Sequence, residues 1–187
     1  VKKIKQFGEM HGLRPTPNYE RYVKLDRPQA VWIVSASEPL RFRSKTWSFP
    51  VTGNITVLGW FDEKKAHDFG DNLKKEGWDV DVRPSSAYST LGWFEDSILS
   101  SMIPDGDDAL GQLANVLLHE SLHATFYIPG QTRLNESVAN FVGDTLAERY
   151  MVATVGPDSK EMKAYRASTQ WYEKRAAIMH AAHDDLE

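Results

Sequence analysis

His119-Glu120-Ser121-Leu122-His123 constrains this chain more than any other feature, because it lies inside an apolar-periodic segment, Leu110 to Phe126, that predicts a helix. On an α-helix, residues four apart are separated by only about 40° around the axis, so His119 and His123 project from one face and can grip one ion between them. Glu120 stands beside them and off the ion. A zinc held by three protein ligands keeps a fourth position for water, whose pKa falls to about 7, and a neighbouring carboxylate can then take its proton. The run therefore predicts a zinc helix of the metalloprotease kind, with Glu120 as the base.

For either histidine alone, a buried and hydrogen-bonded imidazole would be the plainer reading. The chain must also accommodate Asn135-Glu136-Ser137-Val138-Ala139-Asn140, where Glu136 falls thirteen residues after His123 and opens a second helical pattern of Val138, Phe141, Val142, Leu146 and Tyr150. That pattern offers Glu136 as a third ligand delivered by a second helix, with one zinc per chain. Asn140, four residues further and on the same face, can accept a hydrogen bond from the far nitrogen of a zinc-bound histidine, and Asp144 stands one turn beyond it.

Composition fits one globular zinc-peptidase domain over residues 1–187, with 41% hydrophobic and 11% aromatic residues to build one core. The net charge of −4 leaves Lys and Arg scattered, so nucleic acid is not an expected partner. No apolar run of about 18 residues is present, hence no membrane span within the sequence. The absence of cysteine excludes disulfides and thiol catalysis, and is compatible with a reducing or an oxidising compartment.

Along the chain, Ala30 to Val34, Asn54 to Trp60 and Trp78 to Arg83 read as strands, with Tyr88 to Phe94 a fourth. Asp62 caps a helix that buries Ala66, Phe69 and Leu73 and ends at Gly77. Pro104 to Asp108 reads as a turn followed by the N-cap of the zinc helix. Gly156-Pro157-Asp158 closes one helix and opens another over 157–187, with Asp158 and Glu161 in capping-box spacing and Met162, Tyr165, Tyr172 and Met179 as its apolar stripe. Val1, Ile4 and Phe7 are spaced as in a helix without a capping residue, so residues 1–12 read as the remnant of a longer N-terminal region. Strands come first and helices last, an α+β chain in which a small mixed sheet packs against the zinc helix.

Several motifs together resemble the bacterial putative aminopeptidase family of gluzincin-type metallopeptidases. They are Lys45-Thr46-Trp47-Ser48-Phe49-Pro50, Gly59-Trp60-Phe61-Asp62, Ala87-Tyr88-Ser89-Thr90-Leu91-Gly92-Trp93-Phe94, the HExxH helix, and Gly130 through Ala139. The resemblance spans roughly Leu13 to Met151. It implies a zincin-like fold, a zinc peptidase with His119, His123 and Glu136 as ligands and Glu120 as base, and a peptide substrate. It also implies an upstream export segment or lipid anchor and a periplasmic or envelope location, against which a cytoplasmic one stands as the alternative.

Hydrolysis also needs a group that binds the peptide backbone and a donor that steadies the oxyanion. In related zinc peptidases a strand beside the active helix pairs with substrate, and Tyr88 to Phe94, with Thr90 and Gly92 inside it, is the candidate here. Its side chains serve equally well as core. Tyr88 and Tyr127 are the candidate oxyanion donors. An aminopeptidase must also bind a free ammonium, for which Glu95 and Asp96 are available at the strand end. The alternatives are a zinc endopeptidase acting on envelope proteins, and a silent peptide-binding domain, against which the intact Glu120 speaks.

Overall fold

The computed structural model describes residues 1–49, 53–86 and 95–186. In chain order the elements are α1 (Lys2–Met10), β1 (Tyr22–Val23), β2 (Val31–Ser37), β3 (Trp47–Phe49), β4 (Gly53–Ile55), β5 (Val57–Trp60), α2 (Glu63–Lys75), β6 (Asp79–Ser85), β7 (Ile98–Leu99), α3 (Ala109–Thr125), α4 (Thr132–Val155) and α5 (Lys160–Leu186). The chain is α+β, with small sheets and a helical C-terminal half, as its patterning predicts. The expected edge strand from Tyr88 to Phe94 lies outside the described residues.

Two compact units can be separated: Val1–Tyr22 with Thr90–Ile98 and Ile103–Glu187, and Val23–Ser89 with Leu99–Met102. The second unit is built on a three-stranded sheet in the order β5-β2-β6. Both outer strands pair antiparallel with β2, with Val34 opposite Leu58 on one side and Val82 on the other. β5 and β6 therefore run parallel to each other, and α2 is the crossover between them. The segment Asn54 to Trp60 is two strands rather than one, because β4 pairs with β3 while β5 pairs with β2.

Local signals at α2 act as the sequence predicts. Asp62 Oδ1 accepts the Lys65 amide at 2.9 Å, and Gly77, with φ +91°, ends the turn in a conformation that a side chain would resist. Ala66 and Leu73 from this helix join Val34 and Ala36 of β2 in a core edged by Trp32, Trp47, Trp60, Phe69 and Trp78.

The other unit is a helical layer in which α3 and α4 pack most extensively, with α1 and α5 against them. Its buried side chains include Ile4, Leu117, Leu118, Leu122, Leu146, Tyr150, Met151, Met162 and Tyr165. The buried side of α4 differs from its pattern of large apolar residues: Phe141 is 71% exposed, while Ala139 and Ala147 are fully buried. Leu146 and Tyr150 are buried as the pattern expects, and the small residues beside them let a neighbouring backbone come close, which a count of large side chains does not register.

Helix starts differ from expectation in a similar way. Asp108 stands at the N-cap of α3 but its side chain caps no backbone amide. At α5 the cap is Ser159, whose Oγ accepts the Met162 amide at 3.0 Å, one residue later than the Asp158 and Glu161 pairing anticipates. Gly156, with φ +92°, makes the sharp exit from α4 that precedes it. Of the expected α5 stripe, Met162 and Tyr165 are buried, whereas Tyr172 and Met179 are more than half exposed. No described helix is long and apolar enough to cross a membrane.

At Gly111 α5 packs tightly on α3: a methyl group there would overlap the Tyr165 ring at Cδ2 and Cγ. Gly111→Ala should therefore destabilise the chain by about 1–3 kcal/mol through overpacking, read as a lower midpoint in denaturant unfolding.

Candidate metal centre

Helix α3 carries both histidines one turn apart, and its buried residues Ala114, Leu117, Leu118 and Leu122 fix which way that turn faces. The two rings meet edge to face with centroids 4.8 Å apart, and their Nε2 atoms approach to 3.1 Å. Glu136, in the second turn of α4, places one carboxylate oxygen 3.4 Å from His119 Nε2 and the other 3.5 Å from His123 Nε2. These three side chains form a cluster that could hold a metal ion.

The donor geometry fits one ion. With metal–ligand bonds of about 2.0–2.2 Å, adjacent ligands on a tetrahedron are separated by about 3.3–3.5 Å. The 3.1 Å between the two histidine nitrogens lies close to that edge, and each carboxylate oxygen of Glu136 approaches one of them, Oε2 to 3.4 Å from His119 and Oε1 to 3.5 Å from His123, so that one atom from each residue gives a set lying within 4.8 Å. Two imidazole nitrogens facing each other across 3.1 Å would repel through their lone pairs unless a proton or a cation sits between them. His123 Nδ1 is buried with no hydrogen-bond partner among the described residues, so the polar contacts of the ring run through Nε2, which faces His119 and Glu136.

Surroundings also favour neutral imidazole. Burial pulls His119 below its usual pKa and the adjacent His123 adds to this, while Glu136, a hydrogen bond with the Asn140 side chain and the charge of Asp144 act in the opposite direction. A neutral ring keeps a lone pair for a cation. A side-chain hydrogen bond joins Asn140 to His119, and the charge of Asp144 acts on the same ring. Asp144 is itself held by Asn115, whose Nδ2 donates to its carboxylate at 2.5 Å and lies 3.2 Å from the Tyr165 hydroxyl.

A model of the family described as "Putative aminopeptidase" matches residues 1–187. The chain belongs to this family. No curated protein and no solved structure matches it significantly. Membership suggests peptide hydrolysis, and it gives the clustered residues a chemical context.

In this family member Glu120 is half-buried next to His119, on the same helix as both histidines. Near it comes a residue for which the sequence carries no signal. Tyr19 is 4% exposed, and burial pushes its phenol well above the usual range, with the charges of Glu120 and Asp96 adding to the shift. Its φ of +64° is the only left-handed non-glycine backbone among the described residues, held by an amide that donates to the Asp96 carbonyl at 2.6 Å. Only a fold that brings chain positions 19, 96 and 120 together could reveal this.

Of the remaining candidates, Tyr127 lies between α3 and α4 and is 56% exposed. Glu95 is largely exposed and 3.9 Å from Arg21, whereas Asp96 is buried. Tyr88, Thr90 and Gly92 lie outside the described residues. His11, His67 and His180 are exposed, in keeping with their lack of ligand spacing.

Gly143 sits under the centre. A methyl group there would meet His119 Cβ at 3.1 Å and the Asn115 carbonyl at 3.3 Å. Gly143→Ala should push α4 from α3 by a few tenths of an ångström and weaken divalent-metal affinity several-fold, while lowering the melting temperature of the metal-stripped chain only slightly. Metal competition titration beside thermal unfolding separates the two effects.

Proposed function

We propose that the chain is a zinc-dependent peptidase that removes N-terminal residues from peptides. The observation that carries this reading is the clustering of His119, His123 and Glu136, one ligand atom from each lying within 4.8 Å of the others, with Glu120 adjacent. Two imidazoles and a carboxylate are the ligand set of open, catalytic zinc sites rather than of closed structural ones. Zinc held there would supply Lewis acidity, making water nucleophilic near neutral pH and polarising the scissile carbonyl.

The chain's own groups do the rest. Glu120 accepts the proton of the attacking water on a carboxylate oxygen and then returns it to the departing amine nitrogen, so the two half-steps balance in protons. Asn140, bonded to His119, holds that ring in its ligating orientation, and Asp144 adds negative charge behind it. Tyr88 and Tyr127 are the proposed oxyanion donors, and the segment with Thr90 and Gly92 the proposed backbone-pairing strand. Glu95 and Asp96 are the proposed partners of a substrate ammonium. The family description supports the exopeptidase part of this reading. An envelope location belongs to the same proposal.

About one zinc per chain is expected, and His123→Ala should empty the site. Glu120→Gln should keep zinc and fold yet lose nearly all hydrolysis, because an amide preserves shape and cannot take the proton. Elemental analysis with a peptide-cleavage assay reads both, and equal loss of metal in Glu120→Gln and Glu136→Gln would show that base and ligand have been confused.

Short peptides with a free N-terminus should be cleaved after the first residue, and acetylation of that terminus should abolish turnover. Mass spectrometry of products from matched free and blocked peptides decides this. Equal cleavage of both would make the enzyme an endopeptidase.

A further inference from the structure

Asn135, next to the ligand Glu136, is the only polar residue among the largest fully buried side chains of the described chain, with 2% exposure. A carboxamide taken out of water must find both a donor and an acceptor. Asn135 finds both on a single residue: its Nδ2 donates to the Ile128 carbonyl at 2.8 Å, and its Oδ1 accepts from the Ile128 amide at 2.9 Å. The result is a closed two-bond clamp between the second turn of α4 and the connection from α3. No shorter, longer or ionised side chain offers a donor and an acceptor side by side at this reach.

Helix α4 begins without help from a side chain, since Gln131 at its N-cap makes no capping bond. The first turns of a helix leave amides unpaired and fray unless tied down. Glu136 sits in that region, with its carboxylate half-exposed, whereas His119 and His123 project from the packed body of α3. Ile128 is itself 36% exposed, so its peptide groups could turn to water if the clamp were removed.

We propose that Asn135 is a positioning residue of the metal centre: through its two bonds to Ile128 it fixes the first turns of α4, and with them the place of Glu136 relative to His119 and His123. This rests on the metal-centre reading above and deepens it. Asn135 touches neither metal nor substrate; it acts through the backbone that carries the third ligand. The same clamp sets the course of the connection that carries Tyr127.

The test uses the full chain and Zn2+ as the probe, with Asn135→Leu removing both bonds and Ile128→Pro removing the amide donor while leaving every side chain near the metal in place. Zinc affinity by chelator competition should fall about 10- to 100-fold in Asn135→Leu, in the range seen when groups supporting a ligand are lost, and less in Ile128→Pro. In the metal-stripped protein, amide hydrogen exchange should rise over residues 128–137 while α3 stays protected. Zinc affinity within twofold of the parent in both variants would overturn the proposal. So would exchange rising equally through α3 and α4, which marks a general loss of fold. If Asn135→Leu does not fold, Ile128→Pro alone decides. A parent chain that binds no zinc overturns the metal-centre reading itself, whereas a parent that binds it and variants that bind equally well overturn only the clamp.

Discussion

The close approach of α3 and α4 is the constraint on which the candidate site depends. Gly143 lies under His119, and Ala139 and Ala147 are fully buried on the same helix. Larger residues at these places would hold the axes apart, and a carboxylate on α4 would then sit too far from the histidines to share an ion with them. Dispersion and burial stabilise this contact, but its distance is set by the absence of side chains. At its edge Asn115 bonds Asp144 and Asn140 bonds His119, polar contacts beside the apolar packing.

Environment also separates the two glutamates. Glu136 stands half-exposed at the start of one helix and meets the histidines through both carboxylate oxygens. Glu120 is half-buried in the middle of another, close enough to the buried Tyr19 for its charge to raise the phenol's pKa. The left-handed backbone at Tyr19, a conformation non-glycine residues seldom adopt, is held by the bond from its amide to the Asp96 carbonyl.

Much of the site was legible in the sequence because its geometry is local. Histidines four apart on a helix must share a face, whatever the helix packs against, and Asn140 four residues after Glu136 must share that residue's side of α4. The cap at Asp62, the stop at Gly77 and the strands β2 and β6 were legible for the same reason: each is decided within a few residues by hydrogen-bonding reach or by alternation. Where the sequence misled, a competing local choice or a small residue was responsible. Ser159 caps α5 in place of Asp158, and Phe141 faces outward while Ala139 and Ala147 join the expected Leu146 and Tyr150 on the packed side of α4.

By itself, then, the sequence determined that one helix presents two imidazoles and a carboxylate in fixed angular relation, because the helical period allows nothing else. Only the tertiary structure decided that Glu136 meets them at 3.4 and 3.5 Å, that Asn135 spends its amide on Ile128, and that Tyr19 comes to lie near Glu120. Those relations join residues on different elements. Their distances follow from how closely backbones can pack, a quantity that no spacing along a single chain records.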